Sequence, residues 1–113
     1  MVTNPHAYDR LADMLHDDLW DQRDLLYVEA RLTFVADGLE RARAEDLPDS
    51  TAAPEALRID TLVSLMRQGL MWVRRWGYDK PEEDVRKEFE AIRRFGEEAL
   101  VLLAHTSKGP ARG

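Results

Sequence analysis

The chain has 113 residues, 44% of them hydrophobic and 34% charged, which excludes global disorder and predicts one folded domain. It has no cysteine, no basic and apolar signal at its N-terminus and no apolar run long enough to cross a membrane, so we expect a cytoplasmic protein without disulfides. The net charge of −6 disfavours nucleic acid as a partner, because phosphates require a basic surface.

The first predicted helix is unusually long. It begins at Asn4-Pro5, a capping residue followed by proline at the first helical position, and its apolar periodicity continues to about residue 45. Gly38 is the one breaker inside it. A helix of roughly 40 residues is about 60 Å long at 1.5 Å per residue. Shorter neighbouring helices cannot cover its whole length.

Two further helices follow a proline-rich loop. The second is predicted over 54–76 and ends at Gly77, a typical C-terminal glycine. The third is predicted over about 80–105, and residues 106–113 form a small polar tail that we expect to be flexible. Because the connection between these two helices is short, they should lie antiparallel. We therefore predict an all-α fold, an antiparallel three-helix bundle with a long first helix in a single domain of residues 1–105.

The middle of the first predicted helix is apolar on nearly all sides around residues 19–35. Two neighbours from the same chain cannot shelter such a helix, so the pattern predicts self-association, most simply a symmetric homodimer. The alternative is a bend or break near Gly38, with every side chain covered within one chain. The residues assigned to the oligomer interface are Trp20, Tyr27, Val28, Leu32, Phe34, Val35 and Leu39.

An acidic stripe marks one face of the same predicted helix. It consists of Asp13, Asp17, Asp21 and Asp24, spaced at i, i+4, i+8 and i+11. Its first interpretation is a solvated face that keeps the protein soluble. The second is a docking face for a basic protein or for Arg67, Arg74 and Arg75 of the second helix. The third is a metal site of Asp13, His16 and Asp17, although the chain lacks the Glu-x-x-His pairs of metal-binding bundles.

No motif points to an enzyme, since the chain has no phosphate-binding loop, nucleophile motif or convergent carboxylate pair. We predict no cofactor. The sequence favours a non-enzymatic interaction module, such as an adaptor, assembly factor, chaperone or inhibitor, that binds itself and an unidentified protein. The alternatives are a metal-binding helical protein built on the Asp/His cluster and a small nucleic-acid-associated regulator. The basic candidates for the latter are Arg67, Arg74, Arg75, Arg93 and Arg94.

Overall fold

The structure is a computed structural model that describes residues 8–15, 25–47 and 54–108, with residues 107 and 108 described for their backbone only. Within these ranges the chain forms four α-helices and no strand, which confirms the all-α prediction. The helices are α1 (Asp9–Leu15), α2 (Leu25–Asp46), α3 (Pro54–Trp76) and α4 (Glu82–Lys108). Three of them are long, and α1 is described over 7 residues.

The long first helix of the sequence prediction is instead two helices, α1 and α2. The side chain of Leu11 in α1 lies against Gly38 in α2. In one straight helix these two residues would be about 40 Å apart at 1.5 Å per residue. The prediction of a continuous helix over 5–45 is therefore wrong, because α1 folds back along α2. The break does not fall at Gly38, since α2 runs through that residue without interruption.

An antiparallel hairpin of α3 and α4 forms the other half of the fold. The N–H of Gly77 donates to the carbonyl of Val73 at 2.7 Å and ends α3, whose bounds match the predicted helix. The carbonyl of Pro81 accepts the first helical hydrogen bond of α4 from Val85 at 3.2 Å. Accordingly, α4 begins two residues later than predicted and extends three residues further, to Lys108.

Ion pairs between α2 and α3 set the direction of these two helices. In order along α2 they are Glu29 with Arg74, Asp37 and Glu40 with Arg67, and Arg43 with Asp60. The partners in α3 descend in number as those in α2 ascend, so the two helices are antiparallel. Because α3 is also antiparallel to α4, α2 and α4 run in the same direction.

A single hydrophobic core fills the space between the four helices. Among its most deeply buried side chains are Leu15, Leu39, Ile59, Leu62, Met66, Ile92 and Leu103, which come from all four helices. Full burial of one such side chain contributes roughly 1.5–3 kcal/mol to folding. The core therefore positions the helices, and the polar contacts refine their register.

Candidate interaction surface

Three residues that the sequence assigned to an oligomer interface lie in the core of the single chain. Leu32 is 5% exposed, and Val35 and Leu39 are fully buried. They belong to the hydrophobic core to which all four helices contribute. No second copy is needed to shelter these three side chains. They are therefore corrected from interface residues to core residues.

Two other predicted interface residues remain on the surface. Tyr27 is 48% exposed and Phe34 is 45% exposed. They lie seven residues apart on α2 with the exposed Ala30 between them, so the three share one side of the helix. We call Tyr27, Ala30 and Phe34 the aromatic stripe. Val28 is half-buried against the core, and Trp20 lies outside the described residues.

Arginines lie over both rings of the aromatic stripe. The guanidinium carbon of Arg31 is 5.5 Å from the centre of the Tyr27 ring, and its Nη1 donates to the Tyr27 hydroxyl at 2.9 Å. The guanidinium carbon of Arg10, which belongs to α1, is 5.4 Å from the centre of the Phe34 ring. Such cation–π contacts contribute roughly 0.5–1 kcal/mol at exposed sites. The stripe is thus an ordered surface of two rings and two cations.

Only one of the four residues of the acidic stripe lies within the described part of the chain. Asp13 is exposed on α1, whereas Asp17, Asp21 and Asp24 lie outside the described residues. The same holds for His16, so the predicted metal cluster of Asp13, His16 and Asp17 is not described as a unit. Across 8–15, 25–47 and 54–108, no three histidine, aspartate or glutamate side chains are grouped closely enough to hold a metal ion.

Two of the three arginines considered as docking partners for the acidic stripe bind other carboxylates. Arg74 pairs with Glu29, and Arg67 donates to Asp37 at 2.9 Å and also to Glu40. Burial would lower the pKa of the Arg67 guanidinium, but hydrogen bonds and charge attraction from these two carboxylates outweigh it and raise the pKa. Both arginines therefore join α3 to α2.

The third arginine belongs to an aromatic segment at the end of α3. Arg75 and Lys80 lie over the ring of Trp76, with their charged atoms 5.4 and 5.6 Å from its centre. Trp76 is 39% exposed, and Tyr78 beside it is 65% exposed. In this arrangement the segment closes the hairpin of α3 and α4.

An open groove of about 310 Å³ lies between α2 and α3. Its lining consists of Glu40, Asp60, Val63, Ser64 and Arg67. The charged groups of this lining are already bound, Arg67 to Glu40 and Asp60 to Arg43. These groups hold the two helices together and are not free to bind a ligand. The aromatic stripe is therefore the better candidate surface.

No protein-family model matches the chain, and no curated protein or solved structure is significantly similar to it. Within the part of the chain that the structure describes, none of the helices combines the length and apolar character needed to span a membrane.

Proposed function

We propose that the protein is a non-enzymatic interaction module of the cytoplasm that acts as a helical homo-oligomer and binds a second protein, as an adaptor, assembly factor, chaperone or inhibitor does. The observation that carries this proposal is the aromatic stripe. Tyr27 and Phe34 expose 48% and 45% of their surface on the outer side of α2. Large rings ordered on a surface give contact area at little cost in conformational entropy.

The composition of the stripe supports a protein interface. Tyrosine, phenylalanine and arginine are enriched at the buried centres of protein interfaces, and tyrosine and arginine are frequent hot spots there. Both residue classes meet in this stripe, where Arg31 and Arg10 lie over the two rings. The net charge of −6 further favours a basic surface on any other protein that binds.

A second copy of the chain is the occupant that the stripe fits best. A symmetric interface places the same patch on both sides, so the patch must complement itself. The small Ala30 lies between the rings of Tyr27 and Phe34. When two copies of α2 pack antiparallel, a ring of one copy fills the space above Ala30 of the other. The exposed rings are then covered in the dimer.

Light scattering over a range of concentrations tests this interface. We expect wild type to form dimers, and Tyr27→Glu and Phe34→Glu each to weaken association by about tenfold or more, or about 1.4 kcal/mol, because the ring that fills the interface is lost and a charged group takes its place. Leu57→Glu is the matched control, since Leu57 is 51% exposed but lies on α3. A wild type that stays monomeric at every concentration, or an equal loss in Leu57→Glu, contradicts the proposal.

A further inference from the structure

Exposed aromatic and basic side chains lie together where the hairpin of α3 and α4 turns. Trp76 and Tyr78 are both exposed there. The guanidinium carbon of Arg75 and Nζ of Lys80 lie 5.4 and 5.6 Å from the centre of the Trp76 ring. Apolar side chains that are grouped on a surface and bordered by polar ones mark interaction sites.

Leu26 of α2 adds an aliphatic side chain to the same end of the molecule, where it is 69% exposed. It stands one turn before Glu29, which pairs with Arg74 of the antiparallel α3, so Leu26 lies level with the residues that follow Arg74. A Cβ atom on Gly77 would stand 2.9 Å from Cδ1 of Leu25, which agrees with this register. We call the exposed residues of this end the hairpin cluster: Leu26, Arg75, Trp76, Tyr78 and Lys80.

Backbone hydrogen bonds fix the turn that carries the hairpin cluster. The carbonyl of Trp76 accepts from the N–H of Asp79 at 2.9 Å and from the N–H of Lys80 at 3.0 Å. The N–H of Gly77 donates to the carbonyl of Val73 at 2.7 Å. The exposed side chains are therefore held on an ordered backbone, and an ordered surface loses less conformational entropy when a partner binds.

The two cations of the hairpin cluster differ from the other arginines of α3. Arg58, Arg67 and Arg74 each bind a carboxylate of α2 or α4. Among the residues that the structure describes, no carboxylate forms an ion pair with Arg75 or Lys80, whose charges lie over an aromatic ring instead. A carboxylate from another molecule would therefore gain two charged donors without breaking an ion pair of this chain.

We propose that the hairpin cluster is the docking site for the second protein and that it binds a short acidic segment in which apolar residues accompany the carboxylates. The carboxylates meet the cations over Trp76, while the apolar side chains cover Leu26 and Tyr78. Tryptophan, tyrosine and arginine are the residues most enriched at the hot spots of protein interfaces. The inference rests on the proposed function for a second protein, and it gives that protein a site apart from the aromatic stripe.

Neighbouring acids limit how much negative charge the hairpin cluster accepts. Asp79, Glu82, Glu83 and Asp84 stand beside or after it in the chain and are exposed. A nucleic-acid strand carries a phosphate at every nucleotide and would meet these carboxylates, whereas a segment with two carboxylates can place both on the two cations. The net charge of −6 is screened beyond about 8 Å at physiological salt, so a protein that is basic elsewhere can still place an acidic segment here.

Nuclear magnetic resonance of the full chain tests this site with a defined probe, the peptide acetyl-Ala-Glu-Leu-Ala-Glu-Leu-Ala-amide. Its two carboxylates stand about 10 Å apart when the peptide is extended. The indole N–H signal of Trp76, assigned by its loss in Trp76→Phe, reports binding. The matched probe has glutamine in place of both glutamates. We expect the signal to shift and saturate with the acidic peptide, and the glutamine peptide to bind about fivefold more weakly, because two exposed ion pairs are lost.

Variants of the chain separate the local cations from the overall charge. Arg75→Gln/Lys80→Gln should lower the affinity for the acidic peptide to that for the glutamine peptide. Arg41→Gln/Arg94→Gln is the matched control, because it changes the net charge equally but removes exposed cations elsewhere on α2 and α4. We expect its affinity to stay within about twofold of that of wild type. Circular dichroism verifies that both variants fold.

The outcomes that overturn the docking site are distinct from those that overturn self-association. A Trp76 signal that does not shift, equal affinity for the two peptides or an equal loss in the control variant overturns the docking site and leaves the dimer intact. Tighter binding of a ten-nucleotide oligothymidine at Trp76 overturns it in favour of a nucleic acid. Tyr27→Glu should bind the acidic peptide as wild type does, and a loss of binding in this variant would place the peptide on the aromatic stripe and overturn the inference.

Discussion

Arg43 is the most deeply buried charged residue among those that the structure describes. Its side chain is 11% exposed, and its Nε and Nη2 atoms donate to the two carboxylate oxygens of Asp60 at 3.1 and 3.3 Å. Its Nη1 atom donates to the carbonyl of Leu47 at 3.1 Å. Paired donors that match a carboxylate give strong and directional bonds. One residue thus joins α2, the chain after it and α3.

Replacement of this arginine tests its contribution to folding. We expect Arg43→Ala to lower the free energy of unfolding by about 1–3 kcal/mol, through lost packing and an unsatisfied carbonyl at Leu47. Urea denaturation followed by circular dichroism measures the change. Arg58→Ala is the control, because Arg58 and its partner Glu98 are 50% and 46% exposed. We expect its unfolding midpoint to stay close to that of wild type, and similar losses in both variants would contradict this assignment.

At the scale of helices, Gly69 sets the distance between α3 and α4. A Cβ atom at this position would stand 2.6 Å from Cγ1 of Ile92 and 2.9 Å from Oε2 of Glu88. The glutamate can move aside, but Cγ1 of a buried isoleucine cannot without a change of rotamer. Glycine in a helix costs about 1 kcal/mol relative to alanine. The close approach of α3 and α4 at this position explains why a glycine stands there despite that cost.

Replacement of Gly69 with alanine would raise helix propensity but would crowd the contact between α3 and α4. We expect Gly69→Ala to destabilise the protein by about 1–3 kcal/mol net, because overcrowding in the core exceeds the gain in propensity. The thermal unfolding temperature reports the result. Gln68→Ala, at the exposed neighbouring position, is the control and should be neutral or slightly stabilising. A Gly69→Ala variant more stable than wild type would show that α3 and α4 separate freely.

At the scale of the whole molecule, the hydrophobic core supplies most of the stability and the surface charges supply little of it. The ion pairs of Arg67 with Asp37 and of Arg58 with Glu98 all involve side chains that are more than a third exposed. Exposed ion pairs contribute little, and salt screens them further. The core, in contrast, draws side chains from every helix.

This division predicts the response to salt. We expect the unfolding temperature to change by only a few degrees between about 0.05 and 1 M sodium chloride, where the Debye length falls to about 3 Å. Thermal denaturation followed by circular dichroism at the two concentrations is the measurement. A collapse of stability at high salt would mean that the ion pairs between α2 and α3, and not the core, hold the helices together.

The sequence by itself determined the helical class and the hairpin of α3 and α4. Pro54 and Gly77 mark the ends of α3, and an apolar residue every three or four positions marks its buried side. These signals are local, so neighbouring residues suffice to read them. The sequence did not separate the exposed Tyr27 and Phe34 from the buried Leu32, because it assigned all three to one interface. The role of Arg43 was not predicted from the sequence, because this residue stands four positions after Leu39 on the buried side of α2, where a charged residue is unexpected.

Only the tertiary structure decided where the first helical region breaks. No proline or glycine stands between Leu15 and Leu25, so no local signal marks the reversal. The apolar character on nearly all sides of residues 19–35 fits one helix buried on several sides as well as two helices packed against each other. The choice depends on contacts between residues distant in sequence, namely Leu11 with Gly38 and Leu15 with Gly96. Periodicity describes one helix at a time and carries no information about such contacts.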